Sequence, residues 1–333
     1  MKKYKAYGIG AALVDTEIKV VDAELEEMNV EKGLMTLVDE ERRNELLNHL
    51  AGHLVKASHA SGGSAGNSMI ATAQFGGPTF MSCKVSDDED GDIYISDLEA
   101  AGVDHCFNGS RSPGTTGKCL VLITPDAERS MNTYLGISET LSTDELDAQA
   151  IADSEYVYLE GYLVTSPTGR AAAIKARELA EAAGVKTALS FSDPGMVEFF
   201  RDGIAEMIGE RVNLIFCNED EALGWAQTDN LDVAVERLKT TADSFVVTRG
   251  SKGALTYDGQ TLTEIPPHKV MAVDTNGAGD MFAGAFLYAI TRGEDFPTAG
   301  RFASLAAGKV VANYGPRLAA ADYPALRKEF FGD

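Results

Sequence analysis

Apolar positions arrive along this chain in short unbroken runs separated by longer amphipathic stretches. "YKAYGIGAAL" (4–13) opens with a near-continuous apolar run, the pattern of a strand buried on both faces. "DEERRNELLNHLAGHL" (39–54) instead places Leu46, Leu47, Leu50 and Leu54 on one side of a helix. A second helix is expected after "SGGSAG", where Asn67 is followed by Met69, Ile70 and Ala73. "PTFMSCKV" then reads as a strand, and "DDEDGDIYISDLEAAG" as a helix ended by Gly102. "EYVYLEG" is a strand, followed by a helix over "SPTGRAAAIKARELAEAAG" with Pro167 in its first turn and Gly184 past its end. "VKTALSF", "VNLIFCN" and "DSFVVTRG" are further strands with helical pattern between them.

This alternation predicts an α/β fold: a doubly wound, mostly parallel sheet with helices on both faces. Residues 13–38 and 103–134 break the rhythm, because they read as paired strands joined by polar turns without intervening helices. The expectation is one domain over 1–333, with a small β-sheet lid inserted from these two segments.

Composition narrows the function classes. Lys plus Arg number 29 against 51 Asp plus Glu, a formal charge of -22 that repels nucleic-acid backbones and anionic lipid. A small-molecule ligand is expected rather than nucleic acid or membrane. Cys83, Cys106, Cys119 and Cys217 form no C-x-x-C pair, which fits reduced thiols and a cytoplasmic location. No stretch approaches the ~20 apolar residues of a membrane span, and the first residues lack a signal-peptide core.

The densest chemistry lies in "DTNGAGD" (274–280), directly before the apolar helix "MFAGAFLYAITRG". Small residues at 277–279 let backbone amides approach a ligand, and the unpaired first amides of a helix favour an anion. Asp280 in that first turn has two readings. An Asp there is commonly a cap or a dipole partner; beside a phosphate site it is also what a general base for phosphoryl transfer requires.

Other motifs stand in order around it. "HASGGSAGNS" is a second glycine turn entering a helix, "NEDE" puts Asn218 and Glu221 one helical turn apart, and "TRGSKG" closes a strand. Together with D-T-N-G-A-G-D these resemble the ribokinase-like PfkB family of carbohydrate and nucleoside kinases, from Tyr7 to Arg317. The resemblance implies an enzyme that transfers phosphate from ATP with Mg2+.

By that resemblance Asp280 is the base, and Gly277, Ala278 and Gly279 form the anion hole. Asn218 and Glu221 position Mg2+ largely through water, with Asn218 also beside the nucleotide. Thr248, Gly250 and Gly253 meet ATP, and Ala307, Val310 and Asn313 are adenine-pocket candidates, Asn313 being equally a helix C-cap. Asp274 is a candidate contact for K+. On the acceptor side the resemblance assigns Asp15, Gly62, Gly63 and Asn67. "GIGAALVD", "GGSAGNS" and "ERSMNTYLGIS" look closer to adenosine kinase and inosine-guanosine kinases than to fructokinases or ribokinases. That puts Met131, Thr133, Tyr162 and Leu163 around a purine, with Arg129 reaching phosphate or pairing with an acid. The expected reaction is phosphorylation of a nucleoside 5′-hydroxyl; a free sugar such as fructose, ribose or 2-keto-3-deoxygluconate is the alternative, and monomer and homodimer both remain open.

Three weaker signals are set aside. His49, His53 and His59 have a metal-like spacing without an acidic or Cys partner, and surface positions are expected. "GIG" lacks the third glycine of a dinucleotide fingerprint, since Leu13 stands there. "GTTGKC" departs from a phosphate-binding loop at Ser112 and Cys119 and fits a lid strand better.

Overall fold

The computed structural model describes residues 2–52, 58–107 and 111–333, with 58–60 described by backbone alone. Its strands are β1 Tyr4–Ile9, β2 Leu13–Lys19, β3 Met35–Leu37, β4 Ser58–Gly62, β5 Thr79–Ser82, β6 Val103–His105, β7 Gly117–Ile123, β8 Arg129–Tyr134, β9 Ser154–Glu160, β10 Lys186–Ser190, β11 Val212–Asn218, β12 Ala242–Thr248, β13 Ala254–Tyr257 and β14 Leu262–Ile265.

The large sheet has the order β14-β13-β12-β11-β10-β9-β1-β5-β6. It is parallel from β6 through β12, and β13 and β14 continue it antiparallel. Successive residues of one strand feed opposite faces: Tyr156 and Tyr158 enter one core cluster, Val157 and Leu159 the other. The first cluster is closed by the helices Ala278–Thr291 and Phe296–Val311, the second by Pro167–Ala182 and Leu231–Thr241. This is the doubly wound sheet expected from the alternation.

The small sheet has the order β3-β8-β7-β2-β4. Its outer face, with Ile18, Val20, Leu120 and Leu122, is covered by Leu25, Leu46 and Leu50 from two helical segments. Three expectations need correction here. Residues 13–38 are not simply paired strands: the helix Asp22–Glu27 separates β2 from β3, and those strands are not neighbours in the sheet. That helix was illegible because it spans six residues and buries only Leu25. Val103–His105 belongs to the edge of the large sheet, pairing with β5, whereas Ser58–Gly62 joins the small sheet beside β2.

The helix expected over 39–54 is observed at Glu40–His49, capped by Asp39, whose carboxylate accepts from the Arg42 amide at 2.8 Å. Leu54 and His53 lie outside the described residues, as does the His59 side chain; His49 faces Glu27 at 3.7 Å. All four cysteines are free thiols. Among the described residues no helix is long and apolar enough to cross a membrane.

Candidate active site

A cleft of about 650 Å3 opens between the carboxyl ends of the large sheet's strands and the uncovered face of the small sheet. One wall begins at helix Ala278–Thr291. Gly277 is its N-cap, with φ of +69°, and a Cβ there would lie 2.3 Å from the Pro316 carbonyl oxygen, so only glycine permits this turn. The fourteen-residue helix begins at Ala278, and Gly277, Ala278 and Gly279 all line the cleft, so the positive end of its dipole lies at the cleft wall; the Ala278 amide donates to the Thr275 carbonyl at 3.3 Å.

The loop before that helix is tied at both ends. Asp274 is fully buried; its Oδ1 accepts from the Asn276 amide at 2.8 Å and its Oδ2 from the Gly315 amide at 2.9 Å. Thr275 donates through Oγ1 to the Ala127 carbonyl at 3.0 Å, and Asn276 Nδ2 donates to Glu17 Oε1 at 3.3 Å. Both of the latter partners belong to the small sheet or its turn, so the anion-binding loop and the small sheet are joined directly.

Asp280 meets a second helix start. Ser64 Oγ donates to its Oδ1 at 2.7 Å and Asn67 Nδ2 to its Oδ2 at 3.0 Å, from the first turn of helix Ser64–Gln74. Burial nevertheless holds the Asp280 carboxyl above its ordinary range, because desolvation outweighs these two donors and the nearby Arg129. Asn67 is 4% exposed, and with its Nδ2 given to Asp280 its Oδ1 has no partner among the described residues. An orphaned acceptor in the cleft wall calls for a donor from a ligand.

Asp15 sits on β2 beside this turn, 6% exposed, and burial followed by repulsion from Glu17 pushes it up to about 8. A Cβ on Gly62 would fall 2.1 Å from Asp15 Oδ1, so the carboxylate occupies space that only a glycine leaves free. The register places Asp15, Cys119, Thr133 and Leu37 side by side across β2, β7, β8 and β3. The next inward rung carries Glu17, Val121, Met131 and Met35. Leu13, Met35, Leu37, Cys119 and Met131 therefore present an apolar floor to the cleft, with Asp15 towards one edge. Tyr162 lines the cleft with them and donates its hydroxyl to the Ser192 carbonyl at 3.2 Å.

Asn218 and Glu221 form a reciprocal capping box. The Asn218 amide and Nδ2 donate to Glu221 Oε2 and Oε1, each at 2.9 Å, and the Glu221 amide donates to Asn218 Oδ1 at 2.7 Å. Glu221 is 4% exposed, and burial pushes it up to about 8. Thr248 ends β12 next to Asn218, and all three line the cleft.

Some expected residues stand off the cleft lining. Tyr162 and Leu163 are consecutive in a short 3-10 turn, so one reaches the cleft while Leu163 packs in the core. Val310 is likewise in the core, Ala307 packs against it, and Asn313, one residue past the C-cap Ala312, donates through Nδ2 to the Lys309 carbonyl. Gly250 is exposed and Gly253 buried in the turn between β12 and β13, and Gly62 backs Asp15 without lining the cleft.

Other groups were not legible as site residues. Glu160, fully buried at the end of β9, accepts from the amides of Ala11 at 3.1 Å and Ala65 at 2.8 Å, and burial pushes it up to about 7. It borders the cleft with Asp193, which burial also raises. Lys32 adds positive charge to the lining beside Arg129, which was expected there and whose Nε is buried with no hydrogen-bond partner among the described residues. The sequence signal for Glu160 was a lone carboxylate closing an apolar strand.

Comparison with known proteins agrees with this geometry. The model for the "pfkB family carbohydrate kinase" matches residues 34–322. The solved structure of a probable sugar kinase from Rhizobium etli superposes with a TM-score of 0.92 at 32% identity, covering 99% of each chain. That of adenosine kinase from Sinorhizobium meliloti gives 0.92 at 34% identity, covering 98% of this chain and 99% of that one. A curated adenosine kinase from Schizophyllum commune is 27% identical over 89% of this chain and 91% of its own length.

Proposed function

This chain belongs to the pfkB family of carbohydrate kinases, and from that premise we propose that it transfers the terminal phosphoryl group of ATP to the 5′-hydroxyl of a purine nucleoside. It is a kinase acting on a small molecule. The observation that carries the choice of acceptor is the floor of the small sheet. Leu13, Met35, Leu37, Cys119 and Met131 offer an apolar sheet surface in the cleft that Tyr162 also lines, which suits a heteroaromatic base. A free sugar would use Asp15 and Asn67 equally well and would leave that surface uncovered.

In this reading Asp15 grips the vicinal ribose hydroxyls, and the orphaned Asn67 Oδ1 accepts from one of the acceptor's hydroxyls. Asp280 takes the proton of the 5′-hydroxyl. The electron pair of that O–H bond forms the new O–P bond, the bond from phosphorus to ADP breaks, and ADP leaves with its pair. The amides at Gly277, Ala278 and Gly279 receive the charge that builds on the phosphoryl oxygens, and Arg129 adds a cation.

The donor set fits Mg2+ held at a distance. Asn218 and Glu221 spend their direct hydrogen bonds on each other, so they would orient water around the ion rather than enclose it. When bound, Mg2+ neutralises charge on the nucleotide phosphates. Asp274 supports the loop through two amides, and a K+ contact from its remaining lone pairs would show as a rate that differs between potassium and choline salts.

The deciding experiment incubates the protein with Mg-ATP and a panel of nucleosides and sugars, following ADP release. Turnover of adenosine, inosine or guanosine is expected. Turnover of fructose, ribose or 2-keto-3-deoxygluconate with no response to any nucleoside would overturn the acceptor assignment, and ADP release with none of them would overturn the enzyme's proposed use of this site.

A further inference from the structure

Asp280 is held by two residues three apart in one helical turn, and only one of them has a free role. Asn67 is divided between Asp280 and the acceptor, since its Nδ2 is given to the carboxylate and its Oδ1 is left for a ligand. Ser64 has a single hydroxyl proton, and that proton goes to Asp280 Oδ1 at 2.7 Å. Ser64 also lines the cleft in the first turn of its helix, so the positive end of that helix dipole lies beside the same carboxylate. Resting on the phosphotransfer reading above, we propose that Ser64 is a positioning residue for the base: its hydroxyl holds the Asp280 carboxylate in one orientation, leaving a remaining lone pair to receive the acceptor's proton, and favours the ionised form in a buried site.

The physical case is a balance of opposing influences on one carboxylate. Burial disfavours its charge, and the donors Ser64 and Asn67 oppose burial in that order, followed by Arg129 from β8. The other groups facing it are Asp15 on β2, Glu160 and Tyr158 on β9, and Tyr162 in the turn beyond; all four are acids, whose negative charge when ionised works against a second one. Each hydrogen bond to the carboxylate therefore matters to how much of it is ionised near neutral pH. A rigid tether also limits rotation of the carboxylate, which would otherwise swing between its two donors.

The test compares the full-length protein with Ser64→Ala and Ser64→Thr, the latter keeping a hydroxyl at the same position. In wild type, kcat/KM for the acceptor falls on the acid side as Asp280 is protonated. Ser64→Ala is expected to move that limb to higher pH by about half a unit or more and to lower the plateau, with Ser64→Thr restoring the position of the limb. A purely structural role would lower the rate at every pH and leave the limb where it was, and that result overturns the proposal. The midpoint of the Asp280 carboxyl is also read directly by carbon NMR titration, which needs no turnover. A midpoint that rises in Ser64→Ala supports the proposal even if every acceptor in the panel is refused, and an unmoved midpoint overturns it even in an active enzyme.

Discussion

The Thr275 hydroxyl donates to the Ala127 carbonyl oxygen at 3.0 Å, tying the loop that leads into the anion hole to the β7–β8 turn of the small sheet. Ala127 adopts a left-handed conformation with φ of +66°, which is unusual for a residue with a side chain. A strained turn placed on a hydroxyl from the opposite wall is consistent with a contact that helps hold the small sheet over the cleft. Thr275→Val removes the donor at nearly constant volume and costs about 1 kcal/mol of that closed arrangement. The expected result is a KM for the acceptor raised about fivefold and more ADP release without acceptor, with Thr275→Ser behaving like wild type. Steady-state kinetics with and without acceptor check this.

Replacing Asp280 by Asn keeps the shape and removes the base. Turnover is expected to fall by about 10^2 to 10^4 while nucleotide binding persists. The amide has one oxygen for two donors, so either Ser64 or Asn67 loses its partner, and a stability loss of about 1 kcal/mol accompanies the change. Single-turnover rates, nucleotide titration and thermal unfolding separate these effects.

Stability of the unliganded protein is expected to decline from mildly acidic to mildly alkaline pH. Asp15 and Glu221 are raised to about 8 and Glu160 to about 7, and Asp280 is raised as well, each first by burial. A carboxyl raised on folding binds its proton more tightly in the native state than in the unfolded one. Its stabilising contribution is full below the unfolded value near 4.5 for Glu and 3.8 for Asp, and is lost as pH rises through the native value. Unfolding midpoints measured from pH 5 to 9 should fall across that window, and Glu160→Gln should flatten the fall between about 4.5 and 7. A midpoint that climbs with pH would contradict the burial assigned to these groups.

Gly62→Ala tests how tightly Asp15, the carboxylate that grips the acceptor, is seated. The new methyl would start 2.1 Å from Asp15 Oδ1, so Asp15 must move. An acceptor KM raised about tenfold or more is expected, with the KM for ATP nearly unchanged, because the nucleotide groups Asn218 and Thr248 lie on other strands. Equal losses for both substrates would mean that the turn itself had collapsed.

The features legible in the sequence were those with local causes. "DTNGAGD" announced a helix start because small residues precede an apolar run, and the structure has its helix at Ala278–Thr291. Glu160 was not legible, because the amides it accepts come from positions 149 and 95 residues away, and a Glu closing a strand looks like a solvated end until those segments arrive. Ser64 was hidden in the same way, as a small polar residue in a glycine turn. The helix Asp22–Glu27 was missed because its single buried residue carries no periodicity. Leu163 was placed on the wrong wall because neighbouring residues of a tight turn point apart.

The helices Ser64–Gln74 and Ala278–Thr291 touch through backbone. Thr72 Oγ1 donates to the Gly284 carbonyl at 2.9 Å, and a Cβ on Gly284 would meet the Ser68 carbonyl oxygen at 2.5 Å. Two helices locked together at that range behave as a single fixture. In the proposed reaction, the distance from the base to the anion hole is then set by this helix packing, while the apolar floor of the small sheet meets the acceptor's far end. Changes at the floor residues Leu13, Met35, Leu37 and Met131 can trade one acceptor for another while the fixture stays intact. A scaffold divided in this way can change its customers without rebuilding its tool.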